Sequence, residues 1–173
     1  MKKDTILIDI DGILADNTHR LPHIYKNPKD YDLFFSLMGD DKVYDDMRWL
    51  IDLLITAYYE KNGFQLIIYS GRPEEYKQLT TQWIKLHFPR LWEARPYLFL
   101  RESGDHRPAD IVKNEMIKSF KRDYNVRMVI EDDPEVIRML QREGISVLDP
   151  HTYNRPERTN GPPQPDSESL TQI

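Results

Sequence analysis

Two aspartates follow the first apolar run of the chain, at a spacing that suits covalent chemistry. Asp9 and Asp11 stand two residues apart at the end of the run TILIDI, immediately before Gly12. One carboxylate can attack an electrophile and become esterified, while its neighbour protonates the leaving oxygen and later takes a proton from water. The pair therefore predicts a nucleophile at Asp9 and a general acid and base at Asp11.

Three later groups would complete a site for cleaving a phosphate ester. The Ser70 hydroxyl and the Lys113 ammonium would hold phosphoryl oxygens as their charge develops. Carboxylates and a phosphate repel one another at short range, so a cation is needed, and an oxygen-only site selects Mg²⁺. The expected magnesium ligands are Asp9, Asp11 and Asp132, with Glu131 and Asp133 as further candidates.

Each of these features also has a structural explanation. Asp-x-Asp-Gly commonly forms a turn, the run 131–133 suits a helix cap, and a lone lysine is more often a solvated helix residue. His19 and His23 stand four residues apart, but without a third nitrogen or sulfur ligand nearby a zinc site is disfavoured. The occurrence of all the acidic, hydroxyl and lysine motifs in one chain favours catalysis.

Alternating strands and helices position these residues. Apolar runs predict strands at 5–10, 64–69, 96–101, 126–130 and 145–148, and helical patterns fill 46–60, 74–87, 109–124 and 134–143. In the first helix the predicted buried stripe is Trp49, Leu50, Leu53, Leu54 and Ala57. Such alternation implies an α/β fold of three layers, a parallel sheet with helices on both faces. Loops at the carboxyl ends of the strands would gather the polar residues.

Two segments lie outside this alternation. Residues 15–47 are polar and aromatic-rich, which predicts a small cap over the site, whose aromatic side chains either stack a base or fill the cap's own core. Residues 1–150 would then form one domain. Residues 151–173 are rich in proline and poor in apolar residues, which predicts a flexible tail that is inert or docks a partner.

Composition narrows the class of protein. The chain has 173 residues, a formal net charge of −5, 39% hydrophobic residues and no cysteine. We expect no membrane span, no targeting segment, no disulfide and no surface built to coat nucleic acid. A reducing cytoplasm, or a host cytoplasm for a viral protein, is the expected location.

The motifs resemble those of the haloacid dehalogenase superfamily of phosphatases. Asp-x-Asp after the first strand, Ser after the second, a lysine and a late acidic pair occur in the expected order. Within that superfamily the chain resembles the 3′-phosphatase domain of phage polynucleotide kinase more closely, through DIDGILA, Arg20-Leu21-Pro22, Ser70-Gly71-Arg72 and RESGDHRPADIVKNE at 101–115. The likeness covers residues 5–149, without a kinase phosphate loop.

This resemblance implies further roles. Mg²⁺ would bind Asp9, Asp132 and the backbone carbonyl of Asp11, and the substrate would contact Arg20, Gly71, Arg72 and Arg101. The chain departs from the pattern at Ile13, where the family usually has Thr, and at Glu131, where the polynucleotide enzymes have Asp. Glu131 could orient Lys113, contact the metal through water, or shift the ligand role between Asp132 and Asp133.

The resulting hypothesis is a Mg²⁺-dependent phosphomonoesterase that forms an aspartyl-phosphate. The favoured substrate is a polynucleotide 3′ end, as in nucleic-acid repair, and a nucleoside 5′-monophosphate is the alternative. A third hypothesis from another class is a non-catalytic module that binds Mg²⁺ and phosphate to regulate a partner.

Overall fold

A parallel sheet between two layers of helices forms the body of the chain, as predicted. The computed structural model describes residues 1–61 and 64–150. Its strands are β1 (Lys3–Ile8), β2 (Ala15–Asp16), β3 (Lys42–Val43), β4 (Phe64–Pro73), β5 (Tyr97–Arg101), β6 (Tyr124–Ile130) and β7 (Val147–Leu148). Its α-helices are α1 (Pro22–Tyr25), α2 (Tyr31–Ser36), α3 (Asp45–Lys61), α4 (Lys77–His87), α5 (Pro89–Glu93), α6 (Ala109–Asp123) and α7 (Pro134–Arg142).

The strand order of the main sheet is β5-β4-β1-β6-β7, and every neighbouring pair is parallel. β1 lies at the centre, with Ile8 paired to Ile68 of β4 and to Ile130 of β6. The chain builds one half of the sheet outward from β1 and then returns to build the other half. Ligands of open parallel sheets bind at such a change of direction, at the carboxyl ends of the strands.

Strand side chains alternate between two separate cores because successive residues point to opposite faces. Ile8, Ile68 and Ile130 pack with α3, α4 and α5 on one face. Leu7, Ile67 and Val129 pack with α6 and α7 on the other. Ile13, the departure from the family's Thr, is fully buried in the first of these cores.

Two local predictions were wrong. Trp49 and Leu53 were placed in the buried stripe of α3, yet they are 67% and 46% exposed, and Met47, Ile51 and Ile55 are buried instead. The second strand was predicted to end before Ser70, but β4 continues to Pro73 with a shift of its register against β5 between Ser70 and Pro73. Ser70 and Pro73 are both paired with β5, and Gly71 and Arg72 lie in the irregularity between them.

The segment between β1 and α3 forms a small substructure of its own. β2 and β3 pair antiparallel, with α1, α2 and two 3-10 turns between them. The division of the chain into a cap at 15–47 and a surrounding domain remains a prediction. The predicted tail at 151–173 lies outside the described residues. Of the helices in the described ranges, none is long and apolar enough to cross a bilayer.

Candidate active site

The predicted site residues of β1, β6 and α6 meet at the carboxyl edge of the sheet. Asp9 follows β1, Glu131 and Asp132 follow β6, and a carboxylate oxygen from each lies within 4.8 Å of the others. Burial, and then repulsion from Glu131, raises the pKa of the Asp9 carboxyl well above its usual value, although Lys113 partly opposes the change. The three carboxylates form a concentrated negative charge that a divalent cation would neutralise.

The two oxygens of Asp9 have different surroundings. Asp9 Oδ2 lies 2.9 Å from the Lys113 Nζ, whereas Asp9 Oδ1 is buried and has no hydrogen-bond partner among the described residues. A buried carboxylate oxygen without a partner is costly, and a cation would satisfy it. The donor set therefore fits a hard divalent ion.

Lys113 is the positive centre of the cluster. Its Nζ donates to both oxygens of Glu131, at 3.1 and 2.8 Å, besides its contact with Asp9. Burial lowers the pKa of the Lys113 ammonium, but attraction to Asp9 and then Glu131 outweighs burial and raises that pKa above its usual value. Lys113 thus keeps its charge although its side chain is almost wholly buried.

The role of Glu131 was left open by the sequence. Besides Lys113, its carboxylate accepts a hydrogen bond from the Tyr69 hydroxyl and from the backbone nitrogens of Asp132 and Asp133, at 3.2 and 3.1 Å. Both Glu131 oxygens are therefore occupied by donors. The contacts fit the first of the three alternatives, in which Glu131 orients Lys113.

Gly12 allows Asp132 to approach the turn after β1. Its φ is +88°, and a Cβ built at this position would collide with the Asp132 carboxylate. Asp133, the next residue, instead caps α7, since its side chain accepts from the backbone nitrogens of Glu135 and Val136 at 2.9 and 3.4 Å. Asp132 is the better placed of the two to serve the acidic cluster.

Asp11 is held by two arginines. Arg72 donates to it through Nε, at 3.2 and 3.1 Å, and through a terminal nitrogen at 2.6 Å, and Arg20 forms a second ion pair with it. Burial raises the pKa of the Asp11 carboxyl, but attraction to Arg72 and then Arg20 outweighs it and lowers that pKa from 3.8 to about 2. Asp11 is therefore ionised at neutral pH.

Asp41 is a site residue that the sequence reasoning missed. Its side chain is fully buried and accepts from Arg20 at 2.7 and 2.9 Å, from Arg72 at 2.7 Å and contacts His19 at 3.0 Å. Asp11 and Asp41 thus neutralise the two arginines between them. Nothing in the sequence separates Asp41 from the exposed Asp40 beside it, because only the fold decides which of the two points inward.

The remaining predicted residues divide between the cavity wall and the interior. A cavity of about 540 Å³ is lined by Asp9, Asp11, Gly71, Arg101, Lys113, Asp132 and Asp133. Arg20 and Arg72 are fully buried beside Asp11 and are not among the lining residues. Ser70 is also buried, and its Oγ accepts from the Arg72 backbone nitrogen at 3.2 Å.

The cap segment supplies part of the wall of this cavity. Tyr31, Phe34 and Phe35 line it, and the rings of Tyr31 and Phe35 stack with centroids 6.3 Å apart. Phe34 also packs under the Arg20 guanidinium, 4.3 Å from its ring centroid. His19 faces Asp41, and the potential metal-ligand cluster found among the described residues contains no histidine.

Comparisons with known proteins concern the family and the fold of this chain. Residues 3–152 match the family model for the polynucleotide kinase PNKP phosphatase domain. A chain of a solved Pnkp1/Rnl/Hen1 complex has a TM-score of 0.65 at 20% identity, over 86% of this chain and 46% of that one. A chain of the Pnkp1/Rnl/Hen1 RNA repair complex gives 0.63 at 18%, over 86% and 42%.

The present chain spans less than half the length of those two solved chains. At such identities the likeness shows a shared fold. A comparison with curated proteins found no match.

Proposed function

The chain belongs to the PNKP phosphatase-domain family of the haloacid dehalogenase superfamily, and we propose that it is a Mg²⁺-dependent phosphomonoesterase acting on polynucleotide 3′ ends. The observation that carries this proposal is the meeting of Asp9, Lys113 and Asp132 on the wall of one cavity. These residues come from three separate parts of the chain. A structural role for each alone would not require them to share a pocket.

Asp9 is the proposed nucleophile. One of its oxygens is held by Lys113, and the other has no partner among the described side chains and backbone. Attack on phosphorus would form an aspartyl-phosphate and break the bond to the leaving oxygen, which divides the reaction into two easier steps. Water then breaks the aspartyl-phosphate and restores the carboxylate.

Mg²⁺ would be held by Asp9, Asp132 and the backbone carbonyl of Asp11. When bound, it would neutralise the repulsion between these carboxylates and the phosphate. Asp132 is preferred to Glu131 because both oxygens of Glu131 already accept hydrogen bonds. Asp133 is disfavoured because it caps α7.

Lys113 is proposed to stabilise the charge that develops on the phosphoryl oxygens. It retains its proton in the buried cluster, and Glu131 fixes its position. A charged donor in a site of low dielectric contributes several kcal/mol to such a transition state. The Ser70 hydroxyl remains a predicted second donor.

Asp11 is proposed as the general base and acid. Arg72 and Arg20 lower its pKa, so its carboxylate can accept a proton from the attacking water once the substrate weakens those contacts. To donate a proton to the leaving oxygen it must first be protonated, which requires that the substrate weaken its contacts with the arginines. In this proposal Arg20 and Arg72 act through Asp11, and Arg101 and Gly71 on the cavity wall meet the substrate.

Leaving-group dependence tests this role of Asp11. Asp11→Asn would slow hydrolysis of an alkyl phosphate, whose alcohol leaves poorly, far more than hydrolysis of p-nitrophenyl phosphate, whose phenolate needs no proton. General acid catalysis contributes about 10²–10⁴-fold. Equal losses on both substrates would remove Asp11 from the protonation step.

Phosphate release from matched substrates tests the proposed function as a whole. The substrates are a 3′-phosphorylated oligonucleotide, the same sequence with a 5′-phosphate, and nucleoside 5′-monophosphates, each with Mg²⁺ and with chelator. The proposal predicts Mg²⁺-dependent release chiefly from the 3′ end, lost in Asp9→Asn and kept in Asp4→Asn, a control in an exposed part of β1. Release only from the monophosphates would identify a nucleotidase, and no turnover of any phosphomonoester would favour a binding module.

A further inference from the structure

Asn17 is a buried amide on the cap wall of the cavity. It is 7% exposed and lines the cavity together with Asp9 and Asp11. The cap residues around it on this wall are largely apolar, among them Leu21 and Ile24. The ionisable cap residues on the wall, Lys29, Tyr31 and Asp32, are exposed. Among the cap residues that line the cavity, Asn17 is therefore the most buried polar group.

The Asn17 side chain has no evident structural task. It stands at the N-cap of the 3-10 turn Thr18–Arg20, where asparagine usually accepts a hydrogen bond, but within the described chain it makes no capping bond. Its Oδ1 is buried and finds no donor among the described residues. An unpaired buried acceptor is destabilising, and a donor on a ligand bound in the cavity would satisfy it.

Asn17 lies close to the proposed reaction centre. Ala15 forms a β-bridge with Asp11, and Arg20 forms an ion pair with the same aspartate. Residues shortly before and shortly after Asn17 in the chain therefore both contact Asp11. Two trans peptide steps span at most about 7.6 Å between Cα atoms, which limits the separation of Asn17 from Ala15.

We propose that the Asn17 amide hydrogen-bonds the ribose 2′-hydroxyl next to the scissile phosphate, so that the site prefers RNA 3′ ends to DNA 3′ ends. This inference rests on the proposed function. The 2′-hydroxyl is attached to the carbon next to the one that carries the 3′-phosphate, so it lies close to the leaving oxygen that Asp11 is proposed to protonate. A hydroxyl both donates and accepts, which suits either end of an amide, and it distinguishes RNA from DNA.

The aromatic wall fits the same orientation of the substrate. With the phosphate at Asp9 and the sugar at Asn17, the base would extend toward Tyr31 and Phe35, whose stacked rings line the cavity. Aromatic side chains bind unstacked bases without strong dependence on their identity. The selectivity for ribose would thus come from Asn17 and not from the wall.

Two oligonucleotides test the proposal, identical except for a ribose or a deoxyribose in the terminal nucleotide that carries the 3′-phosphate. Wild-type protein is expected to show a higher kcat/KM on the ribose end. Asn17→Ala is expected to lower kcat/KM on that end about tenfold, as for one lost hydrogen bond, and to lower it much less on the deoxyribose end. On the ribose end, the kcat/KM of Asn17→Ser, which retains a shorter polar group, should fall between the values of wild-type protein and Asn17→Ala.

Thr18→Ala is the matched control, because Thr18 is exposed and its hydroxyl hydrogen-bonds Asp16 at 2.6 Å. It should keep the wild-type preference, and thermal melting of each variant reports whether the fold is intact. Equal rates of wild-type protein on both ends would overturn this inference and leave the proposed function standing. If Asn17→Ala lowered kcat/KM equally on the ribose and deoxyribose ends, that result would also overturn the inference. Activity on nucleoside 5′-monophosphates alone would overturn the 3′ function and this inference together.

Discussion

Replacing Asp41 by Asn tests the buried charge network most severely. The substitution keeps the shape of the side chain but removes the negative charge that faces Arg20 and Arg72. All three side chains are fully buried, so solvent cannot replace the lost partner. Asp11 would then be the single carboxylate contacting both guanidinium groups.

The structure sets the size of the effect. Removing one partner of a buried ion pair typically destabilises a protein by about 3–5 kcal/mol. For Asp41→Asn we expect a loss of about 3 kcal/mol, since the amide oxygen still accepts one of the hydrogen bonds. In a chain of 173 residues each kcal/mol shifts the melting temperature by roughly 2–4 °C. The melting temperature should therefore fall by about 6–12 °C.

Urea unfolding followed by circular dichroism measures this change. Asp40→Asn is the matched control, because Asp40 is the neighbouring aspartate and is exposed. The control should stay within about 0.5 kcal/mol of wild type, as most surface substitutions do. If Asp41→Asn were as stable as Asp40→Asn, the buried network would not exist in the form described.

Three further predictions concern the site itself. Gly12→Ala should abolish Mg²⁺ binding in calorimetry, because the new Cβ displaces the Asp132 carboxylate. The control Gly104→Ala, also at positive φ but with open space around it, should cost about 1 kcal/mol of stability and leave Mg²⁺ binding intact. Asp11 should stabilise the metal-free protein by about 2 kcal/mol above pH 4, because the pKa of its carboxyl is lower in the folded state than in the unfolded state. This contribution is lost as the pH falls toward 2, so acid unfolding of Asp11→Asn should show no such loss of stability. Lys113→Met should reduce kcat by about 10²-fold or more in a steady-state assay, and a smaller loss would contradict its contact with the transition state.

The sequence predicted the sheet well because its signals are local. Apolar runs flanked by turn residues located the five strands of the main sheet, and the strand-helix alternation implied their parallel arrangement. The positions of the chemical motifs relative to these strands then predicted that Asp9, Lys113 and Asp132 lie at one edge of the sheet. Such placement follows from topology, since the carboxyl ends of parallel strands share one side of the sheet.

What the sequence did not predict depends on tertiary contacts. In α3 the stripe was shifted to Trp49 and Leu53, because several helical faces of this segment are apolar and only packing selects one of them. Asp41 was missed because an aspartate in a polar loop usually faces solvent. Its burial results from Arg20 and Arg72, which the cap segment and β4 bring to it from distant positions.

Trapping of a covalent phosphate on the protein tests the central claim most directly. Wild-type protein, mixed with Mg²⁺ and a 3′-phosphorylated oligonucleotide and quenched with acid within one turnover, should carry one phosphoryl group on the peptide that contains Asp9. Asp9→Asn should carry none and release no phosphate. Turnover by wild-type protein with no phosphorylated Asp9 at any time, together with continued turnover by Asp9→Asn, would contradict the account.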